Sequence, residues 1–243
     1  MKAQIEMGSR GALHAARRGD VIVLIDALRA STTITSALVA GASRVIPVLT
    51  VEESLALRRQ ADHLLAGERG GIKVDGFNFG NSPTELLKHR DTLNGRPLIL
   101  TTSNGTRCAQ VGLSNGSPAI LVASPPNATA AIHAVRDLAG QLNRDITLLA
   151  AGLDDAPSEE DSFAAQALLQ MLETECGVEA VNSENGRVNL DEGTRIFATS
   201  EAGQRLSRLG YAEDVEFCAQ FDTLELVPVY RDGTGFVPMD AVR

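Results

Sequence analysis

Short runs of Val, Ile and Leu recur along the chain, each ending in small or polar residues. They are VIVLID (21–26), RVIPVL (44–49), HLLAG (63–67), PLILTT (97–102), AILVA (119–123) and DITLLAAG (145–152). Continuous apolar runs of this length predict strands covered on both faces. Helical patterns fall between them. TTITSALVAG ends at Gly41, a residue suited to a helix C-terminus, and VEESLALRRQAD follows the second run. Ser82-Pro83-Thr84-Glu85 reads as a capping box with Pro at the first helical position, and it opens PTELLKHR. ATAAIHAVRDLAGQL and a segment from about Ser158 to Cys176, stopped by Gly177, also read as helices. This alternation predicts an α/β fold, a three-layer sandwich around a central, largely parallel or mixed sheet.

After Gly177 the pattern weakens. VEAVNSENGRVNL reads either as a hairpin around Asn185-Gly186 or as an exposed insertion. TRIFATSEAGQRLSRLG reads as helical and LELVPVY as a final strand. No repeat or linker divides the 243 residues, so a single domain, 1–243, is the economical expectation. Aromatics make up 4% and Trp is absent, which disfavours recognition by ring stacking. A net charge of -9 argues against a nucleic-acid or anionic-membrane surface, while leaving room for a locally basic pocket. Cys108, Cys176 and Cys218 lie far apart and match neither a disulfide framework nor zinc spacing. They read as reduced thiols. The first twenty residues lack the apolar core of a signal peptide, and no apolar run reaches membrane-spanning length. The expectation is a cytoplasmic protein without nucleic-acid or membrane partners, with a homo-oligomer left open.

Polar groups gather at the ends of the apolar runs: Asp26 after the first, Glu68 after the third, Asn104 after the fourth, Asp154 to Asp161 after the sixth. In open α/β sheets, sites form outside the carboxyl ends of strands. IDALRASTTI offers Asp26, Arg29 and three hydroxyls at a helix start, a good setting for an anion. The plainer reading is a helix cap with Asp26 and Arg29 paired on the surface. In LTTSNGTRCA, Arg107 falls in a first helical turn, where a cation is unfavourable unless an anion sits nearby. GERGGIKVDGFNFGNSP holds five glycines among acid, base and amide groups. Such a loop can bring backbone N–H groups to a ligand, or can simply be an Ω-loop. Glu159, Glu160 and Asp161 open a helix, where carboxylates are favourable without any function. Carboxylates with basic and hydroxyl groups, and no His or Cys cluster, suit a hard cation such as Mg²⁺ bridging a phosphoryl group. The histidines (His14, His63, His89, His133) stand apart. The chain lacks a P-loop signature, a second Asp two residues after Asp26, and a Cys followed by Arg at cysteine-phosphatase spacing.

IDALRASTTI, LLAGERGGIKVDGFNFGNSP, LTTSNGTRCA and the EED of 159–161, in this order and spacing, resemble the 2-phosphosulfolactate phosphatase family. The tail SRLGYAEDVEFCAQFDTLELVPV is similar to the family's C-terminus, so the resemblance spans nearly the whole chain. It departs from the family pattern at Asn78 (Asp), Ala27 (Val), Ser103 (Thr) and Cys108 (Ala). The resemblance implies a family-specific α/β fold and Mg²⁺-dependent hydrolysis of 2-phospho-3-sulfolactate to sulfolactate and phosphate, a step toward coenzyme M. Asp26, Glu68 and Asp161 are then the candidates for metal binding or water activation, with Glu160 in reserve. Arg29 and Asn104 join them as candidate catalytic groups. Arg69, Lys73, Asn81, Ser82, Gly105, Thr106 and Arg107 are the candidates for holding a small, doubly anionic phosphorylated substrate. Two other readings use the same cleft: a non-catalytic sensor of a phosphorylated or sulfonated metabolite, and phosphotransfer to an acceptor other than water.

Overall fold

Strands form where the apolar runs lie. The computed structural model describes residues 1–153, 156–181 and 187–242. The chain begins β1 (Lys2–Met7), α1 (Gly8–Arg18), β2 (Val21–Ile25), α2 (Ala30–Val39), β3 (Arg44–Val48), α3 (Val51–Gln60), β4 (Leu64–Arg69) and β5 (Ile72–Lys73). Then come α4 (Pro83–Lys88), α5 (Arg90–Leu93), β6 (Pro97–Thr101), α6 (Gly105–Ser114), β7 (Ile120–Val122), α7 (Ala128–Leu142) and β8 (Ile146–Ala150). The last third holds α8 (Glu159–Cys176), β9 (Glu179–Ala180), α9 (Gly193–Thr199), α10 (Glu201–Arg208), α11 (Ala212–Cys218), β10 (Pro228–Arg231) and β11 (Gly235–Pro238).

The sheet is mixed and 11-stranded, in the order β5-β4-β6-β3-β11-β10-β7-β2-β8-β1-β9. Two parallel blocks, β4-β6-β3 and β7-β2-β8-β1-β9, are joined through the antiparallel hairpin β10–β11. The steps β3–β11, β11–β10 and β10–β7 are all antiparallel, so the blocks have opposite sense along the ladder. Their carboxyl ends nevertheless meet: the N–H of Gly105, after β6, donates to Asp26, after β2, at 2.9 Å. Right-handed strand twist, accumulated across the hairpin, brings them round. The joints to the flanking blocks are thin, with the single registers Phe236↔Val45 and Val229↔Leu121.

One apolar cluster lies on each side of the second block. Val21, Val23 and Ile25 pack with α7 and α8, while Ile22 and Leu24 face the other way, toward α1, α2 and α6. That second cluster also holds Leu64, Ala66, Leu98 and Leu100 from the first block. Helices α2 and α6 therefore fill the space between the blocks. Every residue of α2 from Ala30 to Leu38 is buried, which explains its small, hydroxyl-rich sequence. A helix enclosed on all sides needs short side chains; the hydroxyls of Ser31, Thr32 and Thr35 reach carbonyls, while those of Thr33 and Ser36 have no hydrogen-bond partner. Thr35 Oγ1 donates to Ser31 O at 3.0 Å and Thr32 Oγ1 to Ala27 O at 3.3 Å. On the far side of the first block, Leu65, Phe77 and Ile99 pack under Val51 and Leu57 of α3.

Several details differ from the sequence reading. The N-terminal segment, which has no continuous apolar run, forms β1 and α1; β1 earns its place by pairing with β8 (Ala3↔Ile146). TRIFATSEAGQRLSRLG is two helices, broken at Ser200, whose hydroxyl caps α10 by accepting from Gly203 N–H at 3.1 Å. In LELVPVY only the last residues are strand, and they pair with the unpredicted β11. Half of the Ser82 capping box forms: Ser82 Oγ accepts from Glu85 N–H, but the Glu85 carboxylate takes the Gly80 N–H instead. The hairpin expected around Asn185-Gly186 lies outside the described residues. No helix among the described residues is long and apolar enough to cross a membrane.

Candidate active site

Asp26 leaves β2 and meets the starts of two helices. Its Oδ1 accepts from Ala30 N–H of α2 at 3.1 Å, and its Oδ2 from Gly105 N–H of α6 at 2.9 Å. Both N-termini carry a partial positive charge, which favours a carboxylate there. Only glycine fits at 105, because a Cβ would lie 2.7 Å from Asp26 Oδ2 and 3.2 Å from Ala30 Cβ. Asp161, in the first turn of α8, accepts from Ala27 N–H at 2.7 Å and Gly152 N–H at 2.9 Å. It thereby ties the β2 turn to the β8 turn. Glu68, at the end of β4, accepts from Gly71 N–H at 2.7 Å and from the N–H and hydroxyl of Ser103, both at 2.9 Å. Gly71 turns back at φ +88°, so the hairpin folds its own backbone onto the Glu68 carboxylate.

Asp26, Glu68, Glu160 and Asp161 are all buried; Asp26 feels the charges of Glu68 and Glu160, and Asp161 those of Asp26 and Glu160. Burial first, and the charges of Glu68 and Glu160 after it, push Asp26 from an ordinary 3.8 up to about 6 against its two N–H donors. Asp161 is held well above the usual carboxylate range by burial and then by Asp26 and Glu160. The described residues thus leave a buried, acidic cluster whose repulsion is met only by N–H and O–H dipoles.

A polar cavity of about 260 Å³ opens onto this cluster. Asp26, Glu68, Ser103 and Asn104 line it, with Gly70, Gly71, Asn81, Thr102 and Leu153. Leu28, Arg29, Arg205 and Leu206 also belong to the wall. Asn81 Oδ1 and Thr102 Oγ1 are buried there without a hydrogen-bond partner. At a cavity wall, unlike within α2, such atoms are open to completion by a ligand or water.

The other expected site residues are placed as follows. Arg29 reaches the cavity, but its guanidinium is committed: it donates to Asp214 at 2.8 Å and to Gly71 O at 3.1 Å, and it stacks 4.3 Å from the Tyr211 ring centre. Its charge is balanced inside the protein rather than offered to a substrate. Asp214 also accepts from Ser82 Oγ at 2.9 Å and Thr84 Oγ1 at 2.6 Å, so Ser82 is a cap and a tether beside the cavity. Arg69 donates to Glu68 O, to Leu49 O at 3.2 Å and to Thr101 Oγ1 at 2.9 Å, and Lys73 donates to Asn78 O at 2.9 Å. Neither lines the cavity. Thr106 turns its hydroxyl to Thr102 O, and Arg107 sits half-buried in the first turn of α6, away from the cavity wall. Asn78 accepts from Leu65 N–H at 3.0 Å, a task an Asp would do equally well. Three residues of the site were not signalled by the sequence: Thr102, Asp214 and Arg205. Local pattern does not separate Arg205 from its neighbour Arg208.

Asp26 and Glu68 are, among the described residues, the two carboxylates that both line the cavity and keep lone pairs beyond their N–H bonds. Among the described residues no three His, Cys, Asp or Glu side chains converge into a metal cage. Two carboxylates facing a polar cavity fit Mg²⁺, which keeps several waters and takes substrate phosphate oxygens as further ligands. They do not fit a soft metal that wants nitrogen or sulfur.

Sequence comparison places this α/β fold and its cavity in a class of phosphoric monoester phosphatases. The chain belongs to the 2-phosphosulfolactate phosphatase family: residues 9–233 match the family described as 2-phosphosulpholactate phosphatase. It is 38% identical over 213 residues to a protein of Carboxydothermus hydrogenoformans named "Probable 2-phosphosulfolactate phosphatase", covering 85% of this chain and 84% of that one. A protein of Symbiobacterium thermophilum with the same name is 37% identical over 229 residues, covering 88% and 93%. One from Thermotoga maritima, again so named, is 37% identical over 213 residues, covering 87% and 89%.

Proposed function

We propose that this protein hydrolyses 2-phospho-3-sulfolactate to sulfolactate and phosphate with the help of Mg²⁺ held by Asp26 and Glu68. The observation that carries the reading is the buried acidic cluster at the cavity wall. Burial and neighbouring carboxylates hold Asp26 and Asp161 above the usual carboxylate range, and a divalent ion would both relieve the repulsion and draw in a phosphate. When bound, Mg²⁺ would supply charge stabilisation to the phosphoryl oxygens. Water adds to phosphorus and the P–O bond to sulfolactate breaks. The phosphate keeps the hydroxyl of the water, and the remaining proton ends on the sulfolactate oxygen. In this scheme Asp161 positions: it fixes the Ala27 and Gly152 backbone so that Asp26 stays aimed at the cavity. Asn104, Ser103 and Thr102 offer polar groups to the phosphoryl oxygens from the end of β6. A sensor without metal leaves the acidic wall without a purpose, so hydrolysis is the better reading.

The test is phosphate release from 2-phospho-3-sulfolactate and from glycerol phosphate, with added Mg²⁺ and with EDTA. Turnover of the sulfonated ester that requires Mg²⁺ is the expected result. A full rate in EDTA removes the metal from the scheme, and tight binding without turnover makes the protein a sensor.

A further inference from the structure

Among the described residues the cavity wall has two cations, and they are not equivalent. Arg29 is buried, ion-paired to Asp214 at 2.8 Å and stacked on Tyr211, so its charge is balanced within the fold. Arg205, in the last turn of α10, is half-buried and pairs with no carboxylate among the described residues. Its Nε is buried without a hydrogen-bond partner. A guanidinium nitrogen hidden from water and left unpaired costs free energy, which a bound oxyanion would recover through a charge-assisted fork. Asn81 Oδ1 and Thr102 Oγ1, buried and without partners, lie in the wall of the same cavity. Asp26 and Glu68, where a cation and phosphate would sit, line the same cavity, and among the described residues neither pairs with Arg205.

We infer that Arg205 reads the second anionic group of the substrate, its sulfonate or carboxylate, while the phosphoryl group sits at the Asp26–Glu68 end. The assignment rests on the phosphatase reading for its substrate but not for its chemistry. Arg205 is a specificity residue; it takes no part in bond breaking. A substrate carrying only a phosphate leaves Arg205 without a ligand, and one with a second anion gains it.

Binding separates the two claims. Sulfolactate, which carries the sulfonate and carboxylate and no phosphate, and inorganic phosphate are titrated calorimetrically in Mg²⁺ into wild type, Arg205→Met, Arg205→Lys and Arg208→Met. Arg208 is exposed three residues on in the same helix and controls for charge alone. Arg205→Met should bind sulfolactate about 10- to 100-fold more weakly, the scale of a hydrogen bond to a charged group, and phosphate within about twofold. Arg205→Lys should fall between, since it keeps charge and loses the fork. In turnover, the loss should appear in KM for 2-phospho-3-sulfolactate, with glycerol phosphate unaffected. Equal loss for both ligands, loss for neither, or a wild type that does not bind sulfolactate overturns the assignment. If Arg205→Met does not fold, Arg205→Lys against Arg208→Met decides on the same readouts. A wild type that binds sulfolactate through Arg205 yet hydrolyses nothing would refute the phosphatase reading and leave this one standing.

Discussion

Replacing Asp26 with Asn should remove that carboxyl's contribution to the pH dependence of stability. The Asp26 carboxyl is raised from 3.8 to about 6, by burial first and by Glu68 and Glu160 next. Because the folded pKa lies above the unfolded one, the native state holds the proton more tightly. The resulting stabilisation is complete below about 3.8 and is lost as pH rises through about 6. At 1.36 kcal/mol per pH unit, the loss amounts to about 3 kcal/mol. Asn does not ionise and escapes it. Its amide can accept only one of the two N–H bonds, however, from Ala30 at 3.1 Å or Gly105 at 2.9 Å. The donor left facing the NH₂ costs about 1–3 kcal/mol. Asp26→Asn should therefore be about 1–3 kcal/mol less stable than wild type near pH 4, and equal to about 2 kcal/mol more stable above pH 7. Urea unfolding across this range in EDTA measures the difference. Adding Mg²⁺ at neutral pH should then stabilise wild type and leave the variant unmoved, since only a native state that binds the ion gains. A stability difference that stays constant from acid to neutral pH would refute the reasoning.

Gly105→Ala should lower stability by about 1–3 kcal/mol and reduce phosphate release, because its Cβ would press on Asp26 at 2.7 Å; an unchanged melt and rate would show that α6 can shift freely. Asp214→Ala should destabilise by about 3–5 kcal/mol in chemical denaturation by stranding the buried Arg29, and a loss below about 1 kcal/mol would mean that water reaches Arg29. Glu68→Gln should reduce kcat by roughly 100-fold or more with little effect on the fold, and Mg²⁺ titration should show the affinity lost; near wild-type turnover would place the metal elsewhere. In wild type, Mg²⁺ affinity followed by calorimetry should fall as pH drops through about 6, because proton and cation compete for Asp26, and a flat profile would separate Asp26 from the metal.

The positions of the six apolar strands and most helices were legible in the sequence because they depend on local period and punctuation. VIVLI is apolar without alternation because both its faces are covered, and Gly177 ends α8 in the left-handed conformation that glycine adopts freely. The family, too, was legible in IDALRASTTI, the glycine-rich loop and LTTSNGTRCA, and residues 9–233 match it. What lay beyond the sequence was pairing. β1, the β10–β11 hairpin and the meeting of two opposed strand blocks depend on partners far along the chain, which no local pattern encodes. The same holds for charge. Arg29 and Arg205 carry the same group, yet packing gave Arg29 a buried Asp214 from 185 positions away and left Arg205 at the cavity with no carboxylate partner among the described residues. A side chain's type sets what it can bind; its surroundings in three dimensions, through burial and the nearest opposite charge, decide whether anything remains for a ligand.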